Sequence, residues 1–217
     1  DLDHVPKGQY AHGIFGLQVS AGNQGGGAAG QLLKYNANED AEKLAKKINA
    51  IQKYFVEESR LGIPIIPFDE ALHGLVREGA TAFPQAIGLA ATFNPELMNK
   101  VSTAIAKESK LRGIRQILTP VVNLASDVRW GRTEETYGED PYLTSQLGLK
   151  YVKGLQGTDP KYLKVIAMAK HFAVHSGPEW NRHSYNAEIS HRDLYETYLP
   201  AFKALVQQGN VREVMCA

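Results

Sequence analysis

The alternation of apolar and polar positions along the chain predicts helices and strands that follow one another in turn. Between Glu39 and Arg60, apolar residues recur at helical spacing and predict an amphipathic helix with an inner face of Leu44, Ile48, Ile51 and Phe55. Two further helices are predicted to begin where a capping side chain precedes a proline, at Asn94 and at Asp140. A fourth is predicted to begin at Ser190, with an inner face of Leu194, Tyr198, Phe202 and Leu205.

Short apolar runs between these helices predict buried strands. They cover residues 63–68, 114–122, 165–169 and 211–217. Strands separated by helices indicate an α/β fold with a parallel sheet and right-handed crossovers. A doubly wound open sheet and a barrel both satisfy that order. The barrel is favoured, because polar clusters follow several strands and no dinucleotide-binding glycine pattern occurs.

The number of predicted strands is too small to close an eight-stranded barrel. We therefore expect a (β/α)8 fold of the TIM-barrel type, of which this chain covers only the N-terminal part. This partial domain is expected to span residues 39–217. Residues 1–38 are expected to form an irregular N-terminal segment, because they show little periodicity and include the glycine-rich run 21–30. That run lacks the Lys-Ser/Thr sequel of a phosphate-binding loop.

Composition and charge argue against several kinds of partner. The chain has 24 basic and 23 acidic residues and a net charge of +1, so a basic face for nucleic acid is not expected. No run of about 18 apolar residues predicts a membrane span. The single cysteine, Cys216, lies in the apolar run 214–217 and is expected to be a buried thiol.

Polar and charged side chains cluster directly after three of the predicted strands, where α/β barrels place their functional groups. The clusters are Asp69, Glu70 and His73; Asp127, Arg129, Trp130, Arg132, Glu135, Glu139 and Asp140; and Lys170, His171, His175, Glu179, Arg182 and His183. Cations in the same site oppose a metal ion, and neither zinc-ligand spacing nor a G-x-S-x-G nucleophile elbow occurs. Donors and acceptors beside an aromatic wall such as Trp130 suit a neutral polyhydroxylated ligand, which indicates a sugar.

Lys170 and His171 follow the strand 165–169 directly and have two interpretations. They contact a ligand, as groups at the carboxyl end of a parallel strand often do. Alternatively, Lys170 pairs with a carboxylate of the core and His171 is a buried histidine whose hydrogen bonds are satisfied. Both interpretations stay open on the sequence of this stretch alone.

Three longer motifs occur in a characteristic order: residues 63–74 (IPIIPFDEALHG), 129–141 (RWGRTEETYGEDP) and 170–183 (KHFAVHSGPEWNRH). They resemble the N-terminal barrel of glycoside hydrolase family 3, whose members are retaining, exo-acting β-glycosidases, typically β-glucosidases and β-xylosidases. The resemblance runs from about residue 40 to residue 217. It implies a carbohydrate substrate and favours a periplasmic or extracellular location, although the sequence itself leaves the compartment open. No cofactor is expected. The resemblance also implies that this chain contacts the remaining part of the barrel and later domains of the full-length protein.

The resemblance further implies roles for individual residues. Glu70 matches a carboxylate that accepts hydrogen bonds from hydroxyls of the terminal sugar, and Arg132, Lys170 and His171 match donors to the same ring. Many glucosidases of the family carry Asp where this chain has Glu70. The longer side chain would occupy the space of a hexose hydroxymethyl group and favours a pentose such as xylose. Further candidate contacts are Trp130, His175 and His183.

The resemblance places the catalytic carboxylates outside this sequence. An aspartate nucleophile is expected beyond Ala217, and no residue here matches the acid/base, so the chain is expected to supply only the sugar-binding part of the site. A β-xylosidase is favoured over a β-glucosidase. One alternative is the β-N-acetylhexosaminidase branch, which carries an Asp-x-His dyad; here Asn181 replaces the acid that would orient His183. Another is a non-catalytic carbohydrate-binding barrel.

Overall fold

The computed structural model describes residues 8–19, 40–75 and 77–217. Its strands are β1 (Gly16–Gln18), β2 (Ile66–Asp69), β3 (Gln116–Ile117), β4 (Ile166–Phe172) and β5 (Glu213–Cys216). Its helices are α1 (Ala41–Glu58), α2 (Ala86–Ala90), α3 (Pro95–Leu111), α4 (Pro141–Gln156), α5 (His191–Asp193) and α6 (Leu199–Gln207). Two 3₁₀ turns, Thr133–Glu135 and Glu179–Asn181, lie in the loops after β3 and β4, and a π-helical turn, Leu194–Tyr198, joins α5 to α6.

All five strands are parallel and lie side by side in chain order, β1-β2-β3-β4-β5. Helices connect successive strands, as the crossover between parallel neighbours requires. Because the order of the described strands never reverses, this part of the sheet has no switch point and is not doubly wound. The sequence predicts a parallel α/β fold of the barrel type of which this chain covers only a part. The structure confirms this prediction, because the described strands and helices form a half-barrel.

The longer helices begin at the capping side chains that the sequence predicts. Asp40, Asn94 and Asp140 each accept a hydrogen bond from the backbone N–H three residues on, at 2.8, 3.0 and 2.5 Å. Proline at the first helical position follows two of these caps. The predicted inner face of α1 is also correct, since its buried residues are Leu44, Ile48, Ile51 and Phe55.

Strand β1 corrects the expectation that residues 1–38 are irregular throughout. Gly16 pairs with Ile66, and Gln18 pairs with Phe68 in the neighbouring strand. A Cβ at Gly16 would lie 2.1 Å from the carbonyl oxygen of Ile66, so the close approach of the two backbones requires glycine. Three residues that include a glycine show no hydrophobic period, which explains why the sequence pattern misses this strand. The predicted glycine-rich loop at 21–30 lies outside the described residues.

The largest apolar cluster lies between the sheet and helices α3, α4 and α6. Its fully buried members include Met98, Ile105, Leu147, Leu155 and Leu205. The α3 and α4 helices approach most closely at Gly154, where a Cβ would lie 1.9 Å from Ser102 Oγ. This core holds the strands rigidly beneath the loops that carry the polar clusters.

Two further expectations are wrong in detail. Cys216 is exposed, because β5 lies at the edge of the five described strands with only β4 beside it. On the last helical segment, Phe202 and Leu205 are buried as predicted, but Leu194 and Tyr198 are only partly buried. The π-helical turn Leu194–Tyr198 changes the angular spacing of residues around the helix axis. A single α-helical period therefore does not place all four predicted residues on one buried face. None of the described helices has the length and apolar character to cross a membrane.

Candidate functional site

The candidate site lies at the carboxyl ends of β2, β3 and β4. Glu70 follows the last residue of β2, and Lys170 and His171 occupy the end of β4. The segment after β3 continues alongside β4, where Val121 and Lys170 form an isolated parallel bridge. Asn123 follows two residues after Val121 and so lies near the same end of β4. Parallel neighbours end at the same edge of a sheet, so side chains that are distant in sequence meet here.

Lys170 and Glu70 form an ion pair across this edge. The Nζ atom lies 2.8 Å from one carboxylate oxygen of Glu70 and 3.0 Å from the other. The lysine side chain is 1% exposed and the glutamate side chain 43% exposed. A buried ammonium requires a partner of opposite charge. In this pair the ammonium is buried, whereas the carboxylate is in contact with solvent. The two interpretations of Lys170 are therefore compatible, because the ion pair itself borders the site.

A second ion pair anchors the backbone of Glu70 from below. The buried guanidinium of Arg77 contacts Oδ2 of Asp69. The other carboxylate oxygen of Asp69 accepts a hydrogen bond from the backbone N–H of Glu70 at 2.9 Å. Burial raises the pKa of Asp69 to about 7 and outweighs the opposing charge of Arg77. Asp69 is itself buried and supports the position of Glu70.

Asn123 holds the backbone around His171. Its side-chain amide donates to the carbonyl oxygens of His171 and Ala173 at 2.8 and 3.0 Å, and accepts from the His171 backbone N–H at 2.7 Å. The same amide oxygen lies 3.0 Å from Nδ1 of the His171 ring. Burial, supported by the charges of Arg132 and Lys170, lowers the pKa of His171 to about 2. The imidazole is therefore neutral near pH 7.

Arg132 enters the site from the loop after β3. Its guanidinium forms two hydrogen bonds of 2.7 Å with the carboxylate of Glu135. These two bonds fix the orientation of the guanidinium plane. Burial opposes its charge, but Glu135, Glu70 and Glu179 together raise the pKa of Arg132. The side chain keeps 20% of its surface exposed, so donors of the guanidinium remain open beside Glu70.

The aromatic residues lie differently from the expectation. Trp130 is only 2% exposed and packs edge-on against His175, with ring centroids 6.0 Å apart. It therefore supports His175 and, because it is buried, offers no open wall to a sugar in this structure. The exposed indole of this region belongs to Trp180, which is 73% exposed and lies 5.3 Å from the guanidinium carbon of Arg129. Sequence reasoning did not single it out.

The other histidines of the polar clusters, His73, His175 and His183, divide into two groups. His175 packs against His171, with ring centroids 4.8 Å apart, and His175 and His183 line the same cavity of about 370 Å³. His183 itself is exposed. His73 lies away from this group and contacts the carbonyl oxygen of Phe83 at 2.9 Å. Among the described residues, no group of three or more His, Cys, Asp or Glu side chains is arranged to hold a metal ion.

The fold and the site together define a class of protein. A parallel β/α half-barrel carries a carboxylate, an ammonium, a guanidinium and an imidazole at the carboxyl end of its strands. The family model described as the glycosyl hydrolase family 3 N terminal domain matches residues 26–217. The chain belongs to this family.

Individual relatives point in the same direction. A xylan 1,4-β-xylosidase from Xylanibacter ruminicola is 45% identical over 222 residues, an alignment that covers 88% of this chain and 26% of the relative. A β-glucosidase structure from Erythrobacter marinus superimposes with a TM-score of 0.84 at 33% identity, covering 96% of this chain and 26% of the other. A GH3 exo-β-xylosidase in complex with a xylobiose aziridine probe gives a TM-score of 0.66 at 34% identity, with coverages of 84% and 27%. The chain spans about a quarter of the length of these relatives.

Proposed function

We propose that the intact protein is a retaining exo-β-glycosidase that releases a terminal non-reducing sugar, with xylose preferred over glucose. The observation that carries this proposal is the Lys170–Glu70 ion pair at the carboxyl ends of β2 and β4. It borders the open donors of Arg132 and the neutral ring of His171. The membership in glycosyl hydrolase family 3 supports the same function.

The group formed by Glu70, Arg132, Lys170 and His171, here called the cradle, suits a sugar because it combines hydrogen-bond donors and acceptors. Each sugar hydroxyl both donates and accepts. Lys170 and Arg132 supply donors, and the half-exposed carboxylate of Glu70 supplies an acceptor. Both cations are already paired with carboxylates, so they are held in place before a ligand arrives. Pre-organised groups of this kind lower the entropic cost of binding and orient the ring for reaction.

The preference for xylose rests on Glu70. Its carboxylate is drawn toward Lys170 and extends by one methylene farther than an aspartate would. That extra length occupies space which the hydroxymethyl group of a hexose needs, whereas a pentose lacks this group. The names of two curated relatives, β-xylosidases from Xylanibacter ruminicola and Formosa agariphila, support this preference.

The catalytic carboxylates belong to parts of the protein outside this chain in our proposal. Retention requires two carboxyl groups about 5–5.5 Å apart, one as nucleophile and one as acid and then base. We infer that residues 39–217 form part of a (β/α)8 catalytic domain, that the nucleophile follows in a later strand, and that Glu70, Arg132, Lys170 and His171 hold the terminal ring. The greater length of the relatives leaves room for these parts.

The proposal is tested by hydrolysis assays on the intact protein with 4-nitrophenyl β-D-xyloside, β-D-glucoside and N-acetyl-β-D-glucosaminide. We expect turnover of the xyloside above that of the glucoside, and a first product with the β-configuration in a proton NMR time course. Faster turnover of the glucosaminide would support the β-N-acetylhexosaminidase alternative. Xylose binding without turnover of any substrate would support a non-catalytic carbohydrate-binding barrel.

A further inference from the structure

Three backbone groups fix the orientation of the Asn123 side-chain amide. The Nδ2 atom donates to the carbonyl oxygens of His171 and Ala173 at 2.8 and 3.0 Å. The Oδ1 atom accepts from the backbone N–H of His171 at 2.7 Å. Carbonyl oxygens only accept and a backbone N–H only donates, so an exchange of the two amide atoms would break all three bonds. Oδ1 is therefore the atom that faces the His171 ring.

This orientation determines which nitrogen of His171 carries the proton. Nδ1 lies 3.0 Å from Oδ1 of Asn123, and an amide oxygen can only accept, so Nδ1 donates. The ring is neutral, because burial and the neighbouring cations lower its pKa to about 2. A neutral imidazole has one ring proton, so Nε2 keeps a free lone pair. Among the described residues, Nε2 has no hydrogen-bond partner, while all the other polar atoms of His171 are engaged with Asn123.

We propose that Asn123 is a positioning residue that holds His171 in the Nδ1-protonated tautomer, so that Nε2 accepts a hydrogen bond from a hydroxyl of the bound sugar. The contact with the sugar rests on the proposed function. It changes the role of His171 from the donor that the sequence implies to an acceptor. Lys170 and Arg132 only donate, so the lone pair of Nε2 gives the site a second acceptor for sugar hydroxyls beside the carboxylate of Glu70.

The tautomer is measured first, without any ligand. In the intact protein labelled with ¹⁵N-histidine, long-range ¹H–¹⁵N spectra at pH 7 distinguish a protonated Nδ1 from a protonated Nε2. The signals of His171 are assigned by their loss in a His171→Phe variant. We expect an Nδ1-protonated ring in the wild-type protein, and an Nε2-protonated ring in the wild-type protein overturns the proposal. An Asn123→Leu variant, which lacks the acceptor, should populate the Nε2-protonated form.

The contact with the sugar is measured by kinetics with 4-nitrophenyl β-D-xyloside and its 3-deoxyfluoro and 4-deoxyfluoro analogues. Fluorine cannot donate a hydrogen bond, so a hydroxyl that donates to Nε2 loses that bond on fluorination. We expect one analogue to carry a penalty in kcat/KM that is about tenfold smaller in His171→Phe than in the wild-type enzyme. Inductive effects of fluorine are the same in both proteins and cancel in this comparison.

The results separate failure of the inference from failure of the proposed function. Penalties that do not depend on His171 overturn the acceptor role, even when the xyloside is hydrolysed normally. Absence of hydrolysis overturns the proposed function and leaves the measured tautomer as it is. A donor role of His171 would give the opposite tautomer, with the proton on Nε2, and fluorine would then retain part of the interaction.

Discussion

Lys170 and Glu70, 100 residues apart in the sequence, meet with Nζ 2.8 Å from a carboxylate oxygen across the end of β3. Their strands are separated by one other strand, a distance of about 9–10 Å. Only a long side chain can cross it, and the ammonium of Lys170 does so to reach the carboxylate of Glu70. The contact therefore depends on the strand order, and it links the two motifs that supply most of the proposed cradle.

Replacement of Lys170 by methionine tests the proposed contact of this lysine with the substrate. Met keeps the length of the side chain but removes the charge and the donors. We expect kcat/KM for 4-nitrophenyl β-D-xyloside to fall about 10- to 150-fold, because hydrogen bonds to a charged group contribute about 1.5–3 kcal/mol. The fold should persist, since the carboxylate left behind on Glu70 is 43% exposed and can be hydrated.

The matched control for this variant is Lys107→Met on α3, where the lysine is exposed on the outside of the half-barrel. The control should keep both the kinetics and the circular dichroism spectrum of the wild-type protein. If Lys170→Met retains wild-type kcat/KM, Lys170 belongs to the core ion pair alone and does not contact the sugar.

Exchange of Glu70 for aspartate tests the proposed selectivity for xylose. The shorter side chain opens space for a hydroxymethyl group, so the ratio of kcat/KM for xyloside over glucoside should fall. One methylene in a specificity pocket contributes a factor of about 10 to 200, which sets the expected size of the change. The measurement is a pair of Michaelis curves, one for each 4-nitrophenyl glycoside.

The control for Glu70→Asp is the same exchange at Glu134, which is exposed in the 3₁₀ turn Thr133–Glu135. It should leave the ratio unchanged. A Glu70→Asp enzyme with an unchanged ratio would show that another residue excludes the hexose, and the proposed preference would then lose its structural basis.

Much of the fold is predictable because strong local signals agree with it. The caps Asp40, Asn94 and Asp140 set the helix starts, and apolar runs set most strands. The pattern fails at β1, where three residues with a glycine carry no period, and at α2, which is a single turn. It also fails where the π-helical turn breaks the stripe, because no simple period encodes such a turn.

The sequence predicts that Glu70, Lys170 and His171 lie at the same end of the sheet, but it does not predict the contacts of the candidate site. Polar residues after apolar strands indicate Glu70, Lys170 and His171, since strand ends are where barrels place functional groups. The burial of Trp130 depends on the path of the loop between β3 and α4, and an irregular loop has no hydrophobic period in the sequence. The sequence analysis did not identify Asn123 as a residue of the candidate site. Its position directly after an apolar strand could have indicated a buried amide, and a buried amide needs several hydrogen-bond partners.

Substitution of Gly154 by alanine tests the close packing of α3 on α4. A Cβ at this position would lie 1.9 Å from Ser102 Oγ and 2.6 Å from the carbonyl oxygen of Asn99. The second contact is with backbone, which cannot rotate away, so the helices must separate. We expect the free energy of unfolding to fall by about 1–3 kcal/mol, as measured by guanidinium denaturation.

Gly88→Ala in α2 is the matched control, because the nearest atom to its new Cβ would be Pro84 Cβ at 3.8 Å. There the substitution removes only the entropic disadvantage of glycine, so stability should stay the same or rise by up to about 1 kcal/mol. Equal effects of the two substitutions would contradict the close helix contact at Gly154.

The stability of the protein should fall in acid partly because of His171. Burial, with the charges of Arg132, Lys170, His175 and Arg182 around the ring, lowers the folded-state pKa to about 2, below the ordinary value of 6.5. Between these values the unfolded chain binds a proton that the folded chain does not, so folding loses free energy as the pH falls below 6.5. The loss approaches about 1.4 kcal/mol per pH unit.

His171→Phe isolates this contribution, because phenylalanine fills a similar volume and does not titrate. Unfolding curves of the wild type and the variant are compared at pH 7 and pH 5. We expect the wild-type protein to lose about 2 kcal/mol more than the variant over this interval, while carboxylates common to both cancel. Parallel pH dependences would mean that the imidazole takes up a proton in the folded state. In that case the ring could not keep the lone pair that the proposed contact with a sugar hydroxyl requires.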